Sequence, residues 1–260
     1  MRVLVLGAGK MVEAILMGLK DSLDLSGWWI YSPSGVSAVK LSSQVGARSV
    51  TKFNEVDPEW VLIGCKPQQL KDLSGFLGGQ FKNCLHVSLL AAISEKDQCQ
   101  LLGTSRLVRV MPNLSVKFKA GVTLLSSLSA KDELSFVETL FSKIGSTMRV
   151  QENELDELTL LTGSGPAFFY EFSLILASSF HSLNPEKRES LIRSVLLGAG
   201  VMAHEEKDSL KDLIKAVTSK GGVTEAVLRG WEKGELGELV SKGIEAGHQR
   251  REEVKASLQN

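Results

Sequence analysis

The chain opens on Val3-Leu-Val-Leu-Gly7-Ala-Gly9-Lys10-Met11, a short apolar run that passes straight into a glycine pair and then a helical pattern. Nothing else in the sequence limits the fold as strongly. A strand apolar on both faces belongs inside a parallel sheet, with helices covering each side. A glycine turn between such a strand and a helix leaves bare N–H groups at the positive end of the helix dipole, where an anion is favoured. Gly7 permits the tight turn, and Gly9 lets the backbone approach a pyrophosphate. The third glycine of the usual G-x-G-x-x-G pattern is Val12 here, which predicts a slightly displaced helix rather than a lost site. Gly7, Ala8, Gly9, Lys10 and Met11 are therefore the first candidate cofactor-binding residues, and the ligand they suit is a dinucleotide.

The same strand–helix alternation continues through the first half. Strands are expected over residues 2–6, 28–31, 60–65, 84–89, 106–111 and 121–125, with helices over 11–19, 36–45, 68–77 and 131–143. That order argues for βαβ units and a mainly parallel, doubly wound sheet in an α/β domain of residues 1–152. Residues 153–260 show only helical periodicity, broken at 163–166, 184–185 and 221–222. In the first of these breaks Gly163-Ser164-Gly165-Pro166 reads as a helix entry, with Ser164 or Gly165 capping and Pro166 in the first helical position. The following segment, 166–183, is apolar almost all round, with Phe168, Phe169, Phe172, Leu174 and Ile175. Such a helix must be covered. An all-α domain of this size can hardly enclose it, so a homodimer through this half is expected, with a higher oligomer as an extension.

Charge and cysteine usage narrow the classes of partner. Lys+Arg and Asp+Glu both total 30, so no global positive field draws the protein to nucleic acid or acidic membrane. No apolar run is expected to reach the length of about 20 needed to span a bilayer. The N-terminus enters a strand at once, without the pattern of a signal peptide. Cys65, Cys84 and Cys99 are odd in number and lack CxxC spacing, and the four histidines are scattered. Reduced thiols, no metal site and a cytoplasmic location follow as expectations.

Cofactor type is read at the end of the second strand. NAD sites usually carry a carboxylate there for the ribose hydroxyls. Here the segment is Tyr31-Ser32-Pro33-Ser34-Gly35. The hydroxyls of Ser32 and Ser34 and the loop's N–H groups suit a 2′-phosphate, with Lys40 able to add charge, so NADP is expected and NAD is the alternative.

Further motifs follow in order. They are Val61-Leu-Ile-Gly-Cys65-Lys66-Pro67, Ser88-Leu-Leu-Ala-Ala-Ile93-Ser94, Arg109-Val-Met111-Pro112-Asn113, Leu161-Thr-Gly163-Ser164-Gly165-Pro166-Ala167 and Thr218-Ser219-Lys220-Gly221-Gly222-Val223-Thr224. Together with the opening Gly-Ala-Gly-Lys-Met, this set resembles the pyrroline-5-carboxylate reductase family from residue 2 to about residue 250. Gly-Ser-Gly-Pro-Ala and Ser-x-Gly-Gly-x-Thr are the discriminating elements. The resemblance implies a Rossmann-type domain followed by a helical dimerisation and substrate domain. It implies hydride transfer from a nicotinamide to the C=N carbon of Δ1-pyrroline-5-carboxylate, giving L-proline. Such chemistry asks mainly for positioning.

By the same resemblance Cys65, Lys66, Pro67 and Asn113 join the cofactor side. Thr224 takes the catalytic role at the imine nitrogen. Ser219, Gly221, Gly222, Val223 and Ser164 bind the substrate. Four departures stand out: Val12 for a small residue, Ala92 for a usual glycine, Leu114-Ser115 for Thr-Pro, and Lys220 for proline. Glu225 directly after Thr224 either faces solvent at its helix start or neighbours the substrate. The alternative reading is a divergent relative that reduces another cyclic imine, or an NADP-binding paralogue without catalysis.

Overall fold

The computed structural model describes residues 1–66, 69–77, 80–128 and 130–259. These form two compact units, one of residues 1–164 with 250–260 and the other of residues 165–249.

The first unit is built on eight strands: β1 (Val3–Leu6), β2 (Trp28–Tyr31), β3 (Arg48–Val50), β4 (Trp60–Ile63), β5 (Leu85–Ser88), β6 (Leu107–Pro112), β7 (Gly121–Ser126) and β8 (Gly145–Arg149). They lie in the order β3-β2-β1-β4-β5-β6-β7-β8. Pairing is parallel except between β6 and β7. The helices of this unit are α1 (Lys10–Leu19), α2 (Val36–Val45), α3 (Leu70–Leu77), α4 (Glu95–Leu102) and α5 (Lys131–Phe141). Alternation along each strand divides the core in two. Val3 and Val5 point to one face with Ile15, Leu41 and Phe141 from α1, α2 and α5. Leu4 and Leu6 point to the other, with Leu70, Leu77 and Leu102 from α3 and α4. Both faces are covered, which explains why β1, β4 and β5 read as unbroken apolar runs.

Three elements escape the sequence pattern. β3 and β8 lie at the two edges of the sheet, and most of their residues are exposed. An edge strand needs no continuous apolar face, so Arg48-Ser-Val and Gly145-Ser-Thr-Met-Arg give no strand signal. α4 is short and polar, and its signature is the cap. Ser94 Oγ accepts from the Asp97 N–H and donates to the Asp97 carboxylate at 2.6 Å, a side-chain N-cap that the hydrophobic pattern does not register. The expected helix over 131–143 is α5 to Phe141 and then a 3₁₀ turn over Ser142–Ile144. The expected helix at 68–77 is observed over Leu70–Leu77, while residue 68 lies outside the described residues.

The remaining helices are α6 (Glu152–Ser178), α7 (Pro185–Glu205), α8 (Leu210–Ala216), α9 (Val223–Lys233) and α10 (Leu236–Gln259). Two expectations are corrected in α6. The helix starts at Glu152 and runs through Gly163–Pro166 instead of beginning there, so Pro166 is internal. It is also long and apolar enough, by length and composition, to cross a membrane, contrary to the expectation that no run would be.

A proline inside a helix removes the N–H that would bond the carbonyl four residues earlier. That carbonyl belongs to Thr162, and it accepts instead from Asn113 Nδ2 at 2.9 Å. The side chain of Asn113 is buried at the end of β6, and its Oδ1 accepts the Ser115 N–H at 3.2 Å. A proline at 115 would have no such N–H, so the Leu114-Ser115 departure has a structural use: it orients the amide that rescues Thr162.

Arg109, fully buried on β6, fixes the start of α6. It donates to Asp156 at 2.8 Å and to Glu152 at 3.3 Å, two carboxylates one turn apart on the same helix face. Glu152 also accepts the N–H of Glu95, whose own buried carboxylate accepts the Leu128 N–H.

In the second unit, no residue of α7, α8 or α9 is buried. Phe168, Phe169, Leu174 and Ile175 of α6 are all more than two-fifths exposed. A groove of about 220 Å³ with almost wholly apolar walls is lined by Leu176, Phe180, Leu183, Leu191 and Val195, among others.

Candidate functional site

Nine of the expected cofactor residues sit at the carboxyl ends of three adjacent strands, β2, β1 and β4, where the strand order reverses direction. In open α/β sheets this crevice is the ligand position. Gly7 leaves β1 with φ +107, and a Cβ there would lie 2.6 Å from the Gly64 carbonyl oxygen. Only glycine fits. Gly9 is the N-cap of α1, has no side chain capping it, and faces open space at the position a Cβ would take. The first intrahelical bond runs from the Glu13 N–H to the Gly9 carbonyl at 2.9 Å, so the N–H groups of Lys10, Met11 and Val12 are offered outward at the positive end of the helix. An open glycine beside unspent amides fits a dinucleotide pyrophosphate.

Val12 is accommodated from across the sheet. It is buried, and its Cγ2 lies 2.2 Å from where a Cβ on Gly64 would stand. Gly64, at the end of β4, thus makes the room that the missing third glycine of the fingerprint would have made on the helix.

The other members divide by what their side chains are doing. Ser32 is buried, and its Oγ accepts from Ser37 Oγ at 3.0 Å and from the Ala38 N–H at 3.3 Å, so it holds the start of α2. Ser34 is exposed on the loop, and Lys40 is exposed on α2. Cys65 follows Gly64, with its thiol pushed up to about 11 by burial. A protonated thiol at neutral pH leaves its backbone as the part that meets a ligand. Lys66 is exposed, and its N–H donates to Gln69 Oε1 at 3.1 Å. Pro67 lies outside the described residues. Asn113 stands at the same end of the sheet but on β6, beyond β5, with its amide engaged by Thr162 and Ser115. Ser164 is half-buried inside α6.

Ala92, the departure from glycine, adopts φ +62. That left-handed conformation is the reason glycine suits the position, and alanine tolerates it at a cost of about 1 kcal/mol.

The remaining candidates form one local group in the second unit. Gly222 is the N-cap of α9, and its N–H donates to the Ser219 carbonyl at 3.0 Å. The Gly221 N–H donates to Glu225 Oε2 at 2.6 Å. Two amides expected to hold an anion are therefore spent within the loop. Those of Val223 and Thr224, ahead of the first intrahelical bond from the Ala226 N–H to the Gly222 carbonyl, are not. Ser219 Oγ lies 2.3 Å from where a Cβ on Gly222 would stand, so glycine is required for the hydroxyl to sit there. Ser219 and Thr224 are both exposed, and their hydroxyls have no hydrogen-bond partner among the described residues.

Sequence reasoning missed the helix-orienting set Arg109, Glu152 and Asp156, and the role of Gly64. The signal for the first was present: two carboxylates at i,i+4 facing an arginine in an otherwise apolar strand.

Comparison with known proteins accords with this arrangement. Residues 152–254 match the pyrroline-5-carboxylate reductase dimerisation family. A pyrroline-5-carboxylate reductase of Staphylococcus epidermidis is 29% identical, with 97% of this chain and 100% of that protein covered. The structure of a pyrroline-5-carboxylate reductase from Coxiella burnetii superposes with a TM-score of 0.86 at 27% identity, covering 97% of each chain. That of the Plasmodium falciparum enzyme with NADP bound shares the fold, with a TM-score of 0.81 at 20% identity and 96% of each chain covered. With a dinucleotide turn at the head of a doubly wound sheet, a match to the dimerisation family behind it and likeness along nearly the whole chain, this protein is similar to pyrroline-5-carboxylate reductases throughout.

Proposed function

We propose that the protein reduces Δ1-pyrroline-5-carboxylate to L-proline with NADPH. The observation that carries this is the pair of unspent hydroxyls, Ser219 and Thr224, flanking the bare amides of Val223 and Thr224 at the start of α9. The substrate has two polar features, a carboxylate and a ring nitrogen, and this group answers both. Helix-start amides and the Ser219 hydroxyl suit the carboxylate. The Thr224 hydroxyl, on the same turn and open to solvent, suits the imine nitrogen: it hydrogen-bonds that nitrogen and relays to it the solvent proton that, with hydride at the carbon, completes the amine.

NADPH supplies the hydride when bound, and the residues that hold it are those of the Gly7–Met11 turn with Ser34, Cys65 and Lys66. The NADP-bound Plasmodium falciparum structure supports the cofactor. Ser32 serves this site through the loop it closes, and Asn113 through the carbonyl it satisfies. Residues 1–152 are the nucleotide-binding domain in this reading, and 153–260 the substrate and dimerisation domain. Ser164 is retained on the substrate side. The three free cysteines support a cytoplasmic setting.

Turnover is tested by loss of NADPH absorbance with pyrroline-5-carboxylate. Thr224→Ala is expected to lower kcat about 100-fold while NADPH affinity, measured by fluorescence titration, stays within about twofold. Equal turnover in the variant would remove Thr224 from the imine.

The exposed aromatic and aliphatic face of α6, and the apolar groove lined by Phe180 and Leu191, support a homodimer through the second unit. Contiguous apolar surface of this kind is an interface in soluble proteins. Light scattering at micromolar concentration is expected to give twice the chain mass of 28.2 kDa or a higher multiple, and a monomer would overturn it.

A further inference from the structure

The loop before α9 contains a turn whose second position is unusual. The Gly222 N–H to Ser219 carbonyl bond (3.0 Å) and the φ of +74 at Gly221 are those of a type II turn. Such a turn takes glycine third and favours proline second, because proline pre-sets the backbone there. Lys220 holds that second position, exposed to solvent. The chain therefore lacks local stiffness at the point where Ser219 must keep its distance from Val223 and Thr224.

A second contact bears on the same turn. Glu225, in the first turn of α9, reaches back so that its Oε2 accepts the Gly221 N–H at 2.6 Å. Its Oε1 is held by Arg229, one turn further on, at 2.7 Å. In an ordinary capping box the carboxylate at this position accepts from the N-cap residue itself. The N-cap here is Gly222, whose N–H is already used inside the turn. The carboxylate bypasses the cap and ties the turn to the helix. Its pair with Arg229 is substantially exposed on the arginine side, so it adds little to global stability. Its effect is on position.

We propose that Glu225, oriented by Arg229, is a positioning residue for the substrate, replacing the stiffness that Lys220 does not provide. By clamping Gly221 it fixes the separation between the Ser219 hydroxyl and the amides of Val223 and Thr224, the groups that meet the substrate carboxylate. Arg229 also neutralises the carboxylate next to an anionic substrate. This rests on the reading of Ser219 and Thr224 as the substrate site.

The test is a double-mutant cycle on the full chain. Glu225→Ala is expected to raise KM for pyrroline-5-carboxylate about tenfold with kcat changed less than about twofold. Lys220→Pro, placed in that background, is expected to return KM to within about threefold of the wild type. The exchange rate of the Gly221 amide should rise in Glu225→Ala and fall again in the double variant. An unchanged KM in Glu225→Ala, or no recovery on adding Lys220→Pro, overturns the proposal. Should the wild type fail to reduce the imine at all, the functional reading falls on its own. The Gly221 exchange rates then decide this one: protection lost in Glu225→Ala and regained with Lys220→Pro supports it, and equal rates overturn it.

Discussion

Arg109→Met is expected to cost about 3 kcal/mol of stability, read as a fall in the midpoint of urea unfolding. The guanidinium has no exposure to solvent, and its Nη atoms meet Asp156, Glu152 and the Leu90 carbonyl. Methionine fills most of the volume but leaves two carboxylates one helical turn apart with no cation between them. Each is roughly a quarter exposed, so water relieves part of the repulsion, which sets the expected loss at the lower end of the range for a broken buried pair. The loss also reaches further than one ion pair, because Glu152 accepts the Glu95 N–H and Glu95 in turn holds Leu128. Adding Glu152→Gln to Arg109→Met should recover part of the loss. A midpoint unmoved by Arg109→Met would mean that burying this charge already cancelled what its partners return.

The second large effect is a dependence on pH carried by His86. It is buried on β5, its Nδ1 lies 3.1 Å from the Cys84 carbonyl, and its Nε2 has no partner among the described residues. Burial pushes its pKa down to about 4, with the nearby Arg106 guanidinium adding to the push. The unfolded chain takes up a proton near pH 6.5, whereas the folded one resists until about 4. Stability from this group is thus complete above the unfolded value and is lost as pH falls toward the folded one. The whole effect is about 3 kcal/mol, of which about 2 falls between pH 7 and pH 5. His86→Asn keeps a donor for the Cys84 carbonyl and cannot titrate in this range. Urea unfolding at the two pH values should therefore show a smaller drop for the variant than for the wild type. Parallel drops would place the acid sensitivity elsewhere.

Much of this architecture was legible in the chain. Apolar runs such as Val3–Leu6 announce strands covered on both faces, and Gly7 and Gly9 announce the turn, because both are local consequences of residue type. The edge strands were not legible, since Arg48–Val50 and Gly145–Arg149 are half solvated and carry no pattern. Pro166 misled for a related reason. A proline marks a helix start when judged by its neighbours in sequence, and what keeps the helix going is Asn113, far away in the chain. The substrate turn was legible in its composition but not in its wiring. Glu225 could equally have faced solvent or neighboured the substrate, and only the fold shows it joined to the Gly221 N–H. Val12 reads as a defect of the fingerprint until Gly64 is seen opposite it.

The bond between Asn113 and the Thr162 carbonyl also has a meaning for how this chain can change over generations. Replacing Asn113 alone strands a helix carbonyl, since Pro166 has no N–H to offer it. Replacing Pro166 alone gives that carbonyl its ordinary partner back and sets it in competition with Asn113 Nδ2, while Asn113 Oδ1 still accepts the Ser115 N–H. Each single change thus disturbs one side of the same contact, and the two positions are expected to couple in a double-mutant cycle. Two residues in different elements, one just past a strand and one inside a helix, are thereby tied to a single backbone carbonyl.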